Sequence, residues 1–301
     1  MKKLLVIGAG YLGDEILRQF RAVGWEVAGA SLNGGENLIT CDIGDSASVA
    51  ELPDADAVIH CAASGRGGED AYRKVYLNGC ENLIRRFPHS KIAFTSSSSV
   101  YAQQDGELVT EESETIPDRE TGRLLLAAEK CVTDAGGVVA RLAGIYGPGR
   151  SVLLSKFKND EAVIEEDGRR RINQIHRDDA ASAMLHIFSL PQFPAGQIFN
   201  VCDSESLTQL EVYQGLAEKF RKDLPPSGPR DLDRKRGWTH KRVSNAKLRA
   251  TGWQPKYPSF LDAVGELLPS LNSWMPPSSN EVGWMGLNPE QLRKAIDENP
   301  R

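Results

Sequence analysis

The chain begins Met1-Lys2-Lys3-Leu4-Leu5-Val6-Ile7-Gly8-Ala9-Gly10-Tyr11-Leu12-Gly13, an apolar run followed directly by three spaced glycines. Residues 4–7 have the continuous apolar pattern of a buried strand. After Gly13, apolar side chains recur at helical spacing, at Ile16, Leu17, Phe20 and Val23. In such a strand, turn and helix, Gly8 permits the tight turn, Gly10 lets a phosphate approach the backbone and Gly13 lets the helix lie on the strand. Since a helix N-terminus favours an anion, the stretch predicts a binding site for a dinucleotide pyrophosphate.

Length and composition limit the classes of protein that remain. The chain has 301 residues, which suits one large α/β unit or a nucleotide-binding domain with a smaller lobe. Its formal net charge of -5 argues against a nucleic-acid partner. The cysteines lie scattered without metal-ligand spacing, which predicts no metal site and a reducing compartment. No apolar stretch reaches the length of a signal-peptide core or a membrane span, so we expect a cytoplasmic protein with no membrane partner.

Apolar strand patterns alternate with helical patterns over the first half of the chain. Strands are predicted at residues 25–30, 38–41, 57–60, 91–95 and 138–141, and helices at residues 72–87 and 119–135. This alternation predicts the α/β class with a Rossmann-type, doubly wound parallel sheet.

Beyond Pro148 the alternation loosens. The predicted elements are a short helix and two strands within 151–175, a helix over 177–190, a strand over 198–201, a helix over 208–220 and a loop over 221–237. Ser244 or Asn245 is expected to cap a further helix that leads to Gly252. Asn288 is the expected cap of a closing helix.

These elements predict a division of the chain. Residues 1–150, with about 172–203, are assigned to a dinucleotide-binding domain. A smaller C-terminal substrate lobe takes residues 151–171 and 204–269, and residues 270–301 form a tail with a short helix.

Motifs beyond the glycine turn point to a family. They are Asp42-Ile43, His60-Cys61-Ala62-Ala63, Asn78, the Phe-Thr-Ser-Ser-Ser-Ser-Val-Tyr segment 94–101, the Arg-Leu-Ala-Gly-Ile-Tyr-Gly-Pro-Gly-Arg segment 141–150, and the segments 175–179 and 244–248. Spread over residues 1 to about 268, they resemble the extended short-chain dehydrogenase/reductase superfamily. That group includes NAD(P)-dependent epimerases, dehydratases and reductases of nucleoside-diphosphate sugars.

The resemblance implies which residues contact a nicotinamide dinucleotide. The candidate cofactor-binding residues are Gly8, Gly10, Tyr11, Leu12, Gly13, Ser31, Asp42, Ile43, Cys61, Ala62 and Ala63. In the family, an acidic residue at the end of the second strand is usual for NAD, and a nearby arginine is frequent for NADP. Residues 30–33 offer neither, and the missing carboxylate tilts the prediction slightly toward NADP.

The helix that carries catalysis in the family departs from its pattern. A Tyr-x-x-x-Lys pair is expected there, but this chain has Thr121 and Leu125 in the corresponding places. Lysine at the second place would lower the pKa of the phenol, and neither an aliphatic hydroxyl nor leucine takes over these roles. Ser97 matches the serine that hydrogen-bonds the reacting oxygen, and Tyr101 is the nearest phenol in the sequence. The candidate catalytic residues are therefore Ser97, Thr121 and Tyr101.

Substrate contacts are assigned to Tyr146, His176 and Arg236, although each of the first two also fits a packing role. Arg236 belongs to a basic run near residues 230–242 in which one arginine is expected to grip an anion. Ser98 and Ser99 follow Ser97 where sugar-nucleotide dehydratases carry an Asp-Glu pair, which disfavours a 4,6-dehydratase.

Two functions remain open from the sequence. The first is an NAD(P)-binding epimerase-, dehydratase- or reductase-like enzyme with altered acid/base machinery, acting on a small polar substrate such as a nucleotide sugar. The second is a non-catalytic dinucleotide sensor or partner-binding subunit, since a fold does not fix a function. The resemblance also implies a homodimer, because many relatives dimerise through the outer faces of the two helices predicted at 72–87 and 119–135.

Overall fold

The computed structural model describes residues 1–65, 67–230 and 239–269. In chain order, its strands are β1 (Lys3–Ile7), β2 (Glu26–Ser31), β3 (Leu38–Thr40), β4 (Ala57–His60), β5 (Lys91–Ser97), β6 (Glu107–Val109), β7 (Val138–Leu142), β8 (Gly144–Tyr146), β9 (Ile164–Glu165), β10 (Gln174–His176), β11 (Ile198–Val201), β12 (Ser227–Gly228) and β13 (Lys241–Val243).

The helices of the described residues are α1 (Gly13–Ala22), α2 (Ser46–Ala50), α3 (Glu69–Tyr72), α4 (Gly79–Arg86), α5 (Glu120–Asp134), α6 (Val152–Lys158), α7 (Arg177–Ser189), α8 (Gln209–Phe220), α9 (Ala246–Arg249) and α10 (Phe260–Leu267). A π-helical segment, Arg73–Asn78, joins α3 to α4, and a 3-10 turn, Ser98–Val100, follows β5. Every helix of this part of the chain is too short or too polar to cross a lipid bilayer.

Seven strands form one parallel sheet in the order β3-β2-β1-β4-β5-β7-β11. β1 lies between β2 and β4, so successive connections leave it in opposite directions along the sheet. The predicted Rossmann-type parallel sheet is confirmed. In such sheets a crevice opens beyond the carboxyl ends of the strands where the order reverses, here β1 and β4.

The apolar run of β1 is continuous because helices cover both faces of the sheet. Leu4 and Val6 belong to the core cluster shared with α1, α5 and α7, whereas Leu5 and Ile7 belong to the cluster on the other face. Side chains alternate between the faces of a strand, so a strand buried on both sides is apolar at every position.

A third apolar cluster lies around α6, α8 and α10 and includes Phe157, Tyr213 and Phe260. It is the core of the part of the chain predicted as the substrate lobe. Val243 and Trp253, also predicted in that lobe, instead pack into the cluster beside the sheet. The segment around α9 thus packs beside the parallel sheet.

Several local predictions differ from the structure. The helix predicted over residues 72–87 is divided into α3, the π-helical segment and α4. The short α2 and α10 were not predicted, although Ser259 and Asp262 form a capping box at α10 that the sequence signals. At α9, Ser244 accepts a hydrogen bond from the Ala246 N–H, whereas the Asn245 amide donates to a backbone carbonyl. The closing helix at Asn288 lies outside the described residues.

Candidate functional site

A cleft of about 380 Å³ opens at the carboxyl ends of β1, β4, β5 and β7. It is lined by Gly8, Ala9, Gly10, Tyr11, Leu12, Gly13, Ser31, Cys61, Ala62, Ala63, Tyr72, Tyr76, Thr95, Ser96, Ser97, Ser99, Leu125, Leu142, Ala143, Ile145 and Arg150. Nine of the eleven predicted cofactor residues are in this lining. Asp42 and Ile43 are not: the Asp42 carboxylate lies 2.6 Å from the Lys74 ammonium, and Ile43 is buried in the core.

Glycine is suited to each of the three positions of the turn for a different structural reason. Gly8 has φ +91°, and a Cβ there would lie 2.3 Å from the Ala62 nitrogen. At Gly13 a Cβ would lie 2.3 Å from the Gly8 carbonyl oxygen. A Cβ at Gly10 would meet no described protein atom within 4 Å. Gly8 and Gly13 are therefore required by packing, while Gly10 keeps the cleft open.

His60, at the end of β4, holds the cleft wall in place. Its ring is fully buried; Nδ1 accepts a hydrogen bond from the Ala62 N–H (3.2 Å), and Nε2 donates to the Val75 carbonyl (3.0 Å). Burial lowers the pKa of His60 to about 4, so the ring is neutral at pH 7. The imidazole thus fixes Ala62 against the π-helical segment and is not an acid or base of the cleft.

We expect this histidine to make stability depend on pH. As pH falls from the ordinary pKa of 6.5 toward about 4, the unfolded state binds a proton that folded His60 cannot, and stability is lost. This coupling should lower the free energy of unfolding by about 2 kcal/mol between pH 7 and pH 5. Urea unfolding of wild type and His60→Gln at both pH values measures this change in the free energy of unfolding. His89→Gln, which replaces an exposed histidine, is the control. Equal pH dependence of wild type and His60→Gln would contradict the prediction.

Hydroxyl groups at the end of β5 line the floor of the cleft. Thr95 donates to the His60 carbonyl oxygen (3.1 Å), whereas the Ser97 oxygen accepts from the Ser99 N–H (3.2 Å) and caps the 3-10 turn. With its oxygen engaged in this way, Ser97 can still donate its own proton to a ligand in the cleft. The structure therefore places Ser97 in the cleft lining, and its catalytic role stays a prediction.

The two positions that correspond to the family's Tyr-x-x-x-Lys pair both lie on α5, but only one of them lines the cleft. Leu125 lines the cleft, but Thr121, one turn earlier and half-buried, does not. None of the seven tyrosines of the sequence is followed four residues later by lysine. No lysine, histidine or carboxylate is among the described residues of the cleft lining.

Two phenols of the lining, Tyr72 and Tyr76, were missed by the sequence analysis. Their rings lie edge to face with centroids 5.0 Å apart, and the Tyr76 oxygen accepts from the Ser64 N–H at 3.3 Å. Their four-residue spacing places both rings on one helical face. A spacing alone does not tell whether one helical face meets a core or a cleft.

Tyr101 does not reach the cleft. It is fully buried, and its hydroxyl donates to Asn200 Oδ1 (2.9 Å) and accepts from Arg141 Nη1 (2.8 Å). Burial raises the pKa of this phenol. The catalytic role considered for Tyr101 is therefore corrected to a structural one.

The structure also relocates the predicted substrate contacts. Tyr146 and His176 are buried with ring centroids 5.3 Å apart, and neither lines the cleft. The His176 Nδ1 accepts from the Asp178 N–H and caps α7, which is a structural role. Arg236 lies outside the described residues.

Three arginines of the described part of the lobe are paired with carboxylates. Around a second cavity of about 270 Å³, Arg169 pairs with Asp167, Arg170 lies 3.2 Å from Glu165, and Arg230 pairs with Glu166 at 2.8 Å. The carboxylates therefore balance the charges of these three arginines. In residues 1–65, 67–230 and 239–269, no group of three or more His, Cys, Asp or Glu side chains is arranged to hold a metal ion.

Comparison with known proteins defines the class. The chain belongs to the NAD dependent epimerase/dehydratase family, whose family model matches residues 4–202. It is 27% identical over 287 residues to Protein YeeZ of Escherichia coli, covering 87% of this chain and 98% of that protein. Over 243 residues it is 28% identical to sterol-4-alpha-carboxylate 3-dehydrogenase erg26, decarboxylating, of Schizosaccharomyces pombe, covering 68% and 71% of the two chains.

Among solved structures, UDP-glucuronic acid 4-epimerase from Bacillus cereus, in complex with UDP-glucuronic acid and NAD, has the same fold. Its TM-score is 0.76 at 20% identity, covering 90% of this chain and 99% of that one. This likeness shows the fold, and the family model confirms the resemblance predicted from the sequence motifs.

Proposed function

We propose that this protein is an NAD-dependent, epimerase- or reductase-like enzyme that acts on a small polar substrate of the nucleotide-sugar type, with altered acid/base machinery. The observation that carries the proposal is the cleft itself, where the glycine turn and Ser97 meet at the strand ends. The family supports the cofactor. The ligand named for the Bacillus cereus structure supports the substrate class.

The residues of the cleft fit a dinucleotide. Gly10 leaves an open surface beside the N-terminus of α1, and no described side chain caps that terminus. Ala62, Ala63 and Ile145 supply small or apolar walls. Such a surface accepts the pyrophosphate and the flat rings of a dinucleotide.

For chemistry, a bound nicotinamide supplies a reversible two-electron oxidant. In this proposal Ser97 donates a hydrogen bond to the oxygen on the substrate carbon that is oxidised or reduced, and the apolar side chain of Leu125 lines the same cleft. In the family, a tyrosine assisted by a lysine transfers the proton. This chain has Thr121 and Leu125 at those two positions, so another group must transfer it. The phenols Tyr72 and Tyr76 are the candidates that the cleft provides.

For the cofactor, we propose NAD over NADP. The absence of a carboxylate near Ser31 favours NADP slightly, but no lysine or arginine of the described lining lies near that serine in sequence to pair with a 2′-phosphate. The Ser31 hydroxyl itself donates to the Gly34 carbonyl oxygen at 2.8 Å.

A second candidate function is a dinucleotide-binding protein without turnover. It is favoured by a cleft lining without a described lysine, histidine or carboxylate. Such a protein should distinguish oxidised from reduced cofactor, since redox state would be its signal. Equal affinity for the two forms would count against it.

Ser97→Ala provides the test of the enzymatic proposal. Wild type should bind NAD more tightly than NADP and convert one member of a panel of nucleotide sugars, alcohols and carbonyl compounds. Removing the Ser97 hydroxyl should lower kcat by about 100-fold, the scale of one lost transition-state hydrogen bond, with cofactor affinity unchanged. Thr133→Ala, on the same helix α5 and outside the lining, is the matched control.

Calorimetry measures the cofactor affinity. Mass spectrometry detects epimerised or dehydrated products, and absorbance of the reduced nicotinamide detects net redox turnover. If wild type binds cofactor but converts nothing, or if Ser97→Ala keeps full turnover, the proposed chemistry is wrong.

A further inference from the structure

The loop between β8 and α6 is fixed against the glycine turn. Gly147 and Arg150 exchange two backbone hydrogen bonds of 2.9 Å, which closes a tight loop. The Tyr11 hydroxyl donates to the Pro148 carbonyl oxygen at 3.0 Å. A Cβ at Gly147 would lie 2.7 Å from that hydroxyl, so glycine permits the contact. The loop therefore has a defined position relative to the N-terminus of α1.

This loop brings Arg150 to the cleft. Its guanidinium carbon lies 5.3 Å from the centre of the Tyr11 ring, and Arg177 lies 5.2 Å from the same centre. Arg177 is bound by carboxylates, with Nε 2.8 Å from Asp178 and Nη2 3.9 Å from Glu15. Arg150 has no such ion pair among the described residues, and it lines the cleft while Arg177 does not.

The charge of Arg150 has no counter-charge in the cleft. Among the described lining residues it alone is charged, because the others are glycine, apolar, hydroxyl or thiol side chains. Burial raises the pKa of Cys61 to about 12, so that thiol is neutral. An arginine held over an aromatic ring beside a helix N-terminus is arranged for an anion, and its planar fork matches phosphate oxygens.

We propose that Arg150 binds the pyrophosphate of the dinucleotide beside the glycine turn. The inference rests on the proposed cofactor-binding function. It adds a cationic contact from the segment that leads into the lobe, which the glycine motif does not contain. Tyr11 positions the guanidinium by its ring and anchors the loop by its hydroxyl.

Calorimetric titrations of three ligands into wild type, Arg150→Ala and Arg150→Lys test the proposal. NAD and ADP-ribose both contain the pyrophosphate, whereas adenosine contains no phosphate. Arg150→Ala should lower the affinity for NAD and for ADP-ribose by about tenfold, equivalent to about 1.4 kcal/mol, and leave the affinity for adenosine unchanged. The affinity of Arg150→Lys for both ligands should lie between those of wild type and Arg150→Ala, since lysine retains the charge but not the forked guanidinium. Arg249→Ala, another exposed arginine, is the matched control for net charge.

The outcomes separate this inference from the proposed function. If wild type binds neither NAD nor ADP-ribose, the cofactor proposal fails. If wild type binds both and Arg150→Ala binds them equally well, the inference alone is overturned. The pyrophosphate assignment is also overturned if Arg150→Ala weakens adenosine binding as much as NAD binding. It is likewise overturned if, in a parallel titration with NADP, the variant weakens only the binding of NADP. Thermal unfolding confirms that each variant is folded.

Discussion

Replacement of Gly10 by valine is expected to abolish most dinucleotide binding without unfolding the protein. The new side chain would meet no described protein atom near its Cβ, so the fold should tolerate it. It would instead occupy the surface that a pyrophosphate must approach. We expect the affinity for NAD to fall by about 100-fold, which corresponds to about 2.7 kcal/mol. Calorimetric titration measures the affinity, and urea unfolding measures the stability.

Gly8→Ala is the matched comparison in the same turn. Alanine there would adopt a positive φ and overlap the Ala62 backbone, so stability should fall by about 3 kcal/mol or more. The two glycines thus separate binding from folding. Tight NAD binding by a folded Gly10→Val variant would show that the cleft beside α1 is not the cofactor site.

The largest expected loss of stability follows from Glu129→Gln. Glu129 and Arg141 form an ion pair with 3% and 5% of their side chains exposed, and the Arg141 Nη2 lies 2.6 Å from Glu129 Oε2. Removing the carboxylate charge leaves a buried guanidinium without its partner. Since breaking a buried pair on one side is costly, the free energy of unfolding should fall by about 3–5 kcal/mol.

Two further variants identify the cause. Glu129→Gln combined with Arg141→Met removes both charges and should recover part of the loss. Lys130→Ala removes the neighbouring exposed pair with Asp134 and should cost about 0.5 kcal/mol or less. Urea unfolding of all variants at one pH provides the comparison. A loss below about 1 kcal/mol for Glu129→Gln would mean that the buried guanidinium finds other partners.

This ion pair also supports the cleft. Ser96 donates to Glu129 at 2.5 Å, and Arg141 binds the Tyr101 hydroxyl. The residues next to Ser96 in β5 point the opposite way, so fixing Ser96 on one face orients Ser97 toward the other. Tyr101, Glu129 and Arg141 are buried and absent from the cleft lining, so they act on the site through packing.

The sequence predicted most of the sheet because the signals are local. Each predicted strand of the sheet lies within a residue or two of its observed bounds, since apolar strands buried on both faces differ clearly from amphipathic helices. The short α2 and the π-helical segment were missed. Five or six residues do not establish a period.

The site residues also differed in how well local sequence predicted their positions. The cofactor candidates adjacent to the glycine turn and β4 line the cleft, because a turn positions its own residues. Tyr146 and His176 were predicted as substrate contacts, but Tyr146 is buried within the third cluster and His176 is buried against Tyr146 and Tyr257. Whether a side chain faces a core or a cleft depends on what lies opposite, and that information is not in its own segment.

By itself, the sequence determined the strand, turn and helix of residues 1–22, the parallel sheet and the family, since backbone sterics and apolar period act over short distances. The tertiary structure alone decided that Arg150 meets Tyr11 across 139 residues, because only folding brings the two loops together. It likewise decided that Tyr72 and Tyr76 face the cleft while Tyr101 is enclosed by Arg141 and Asn200. Charge and solvent access are properties of assembled surfaces, and they appear only when distant segments pack.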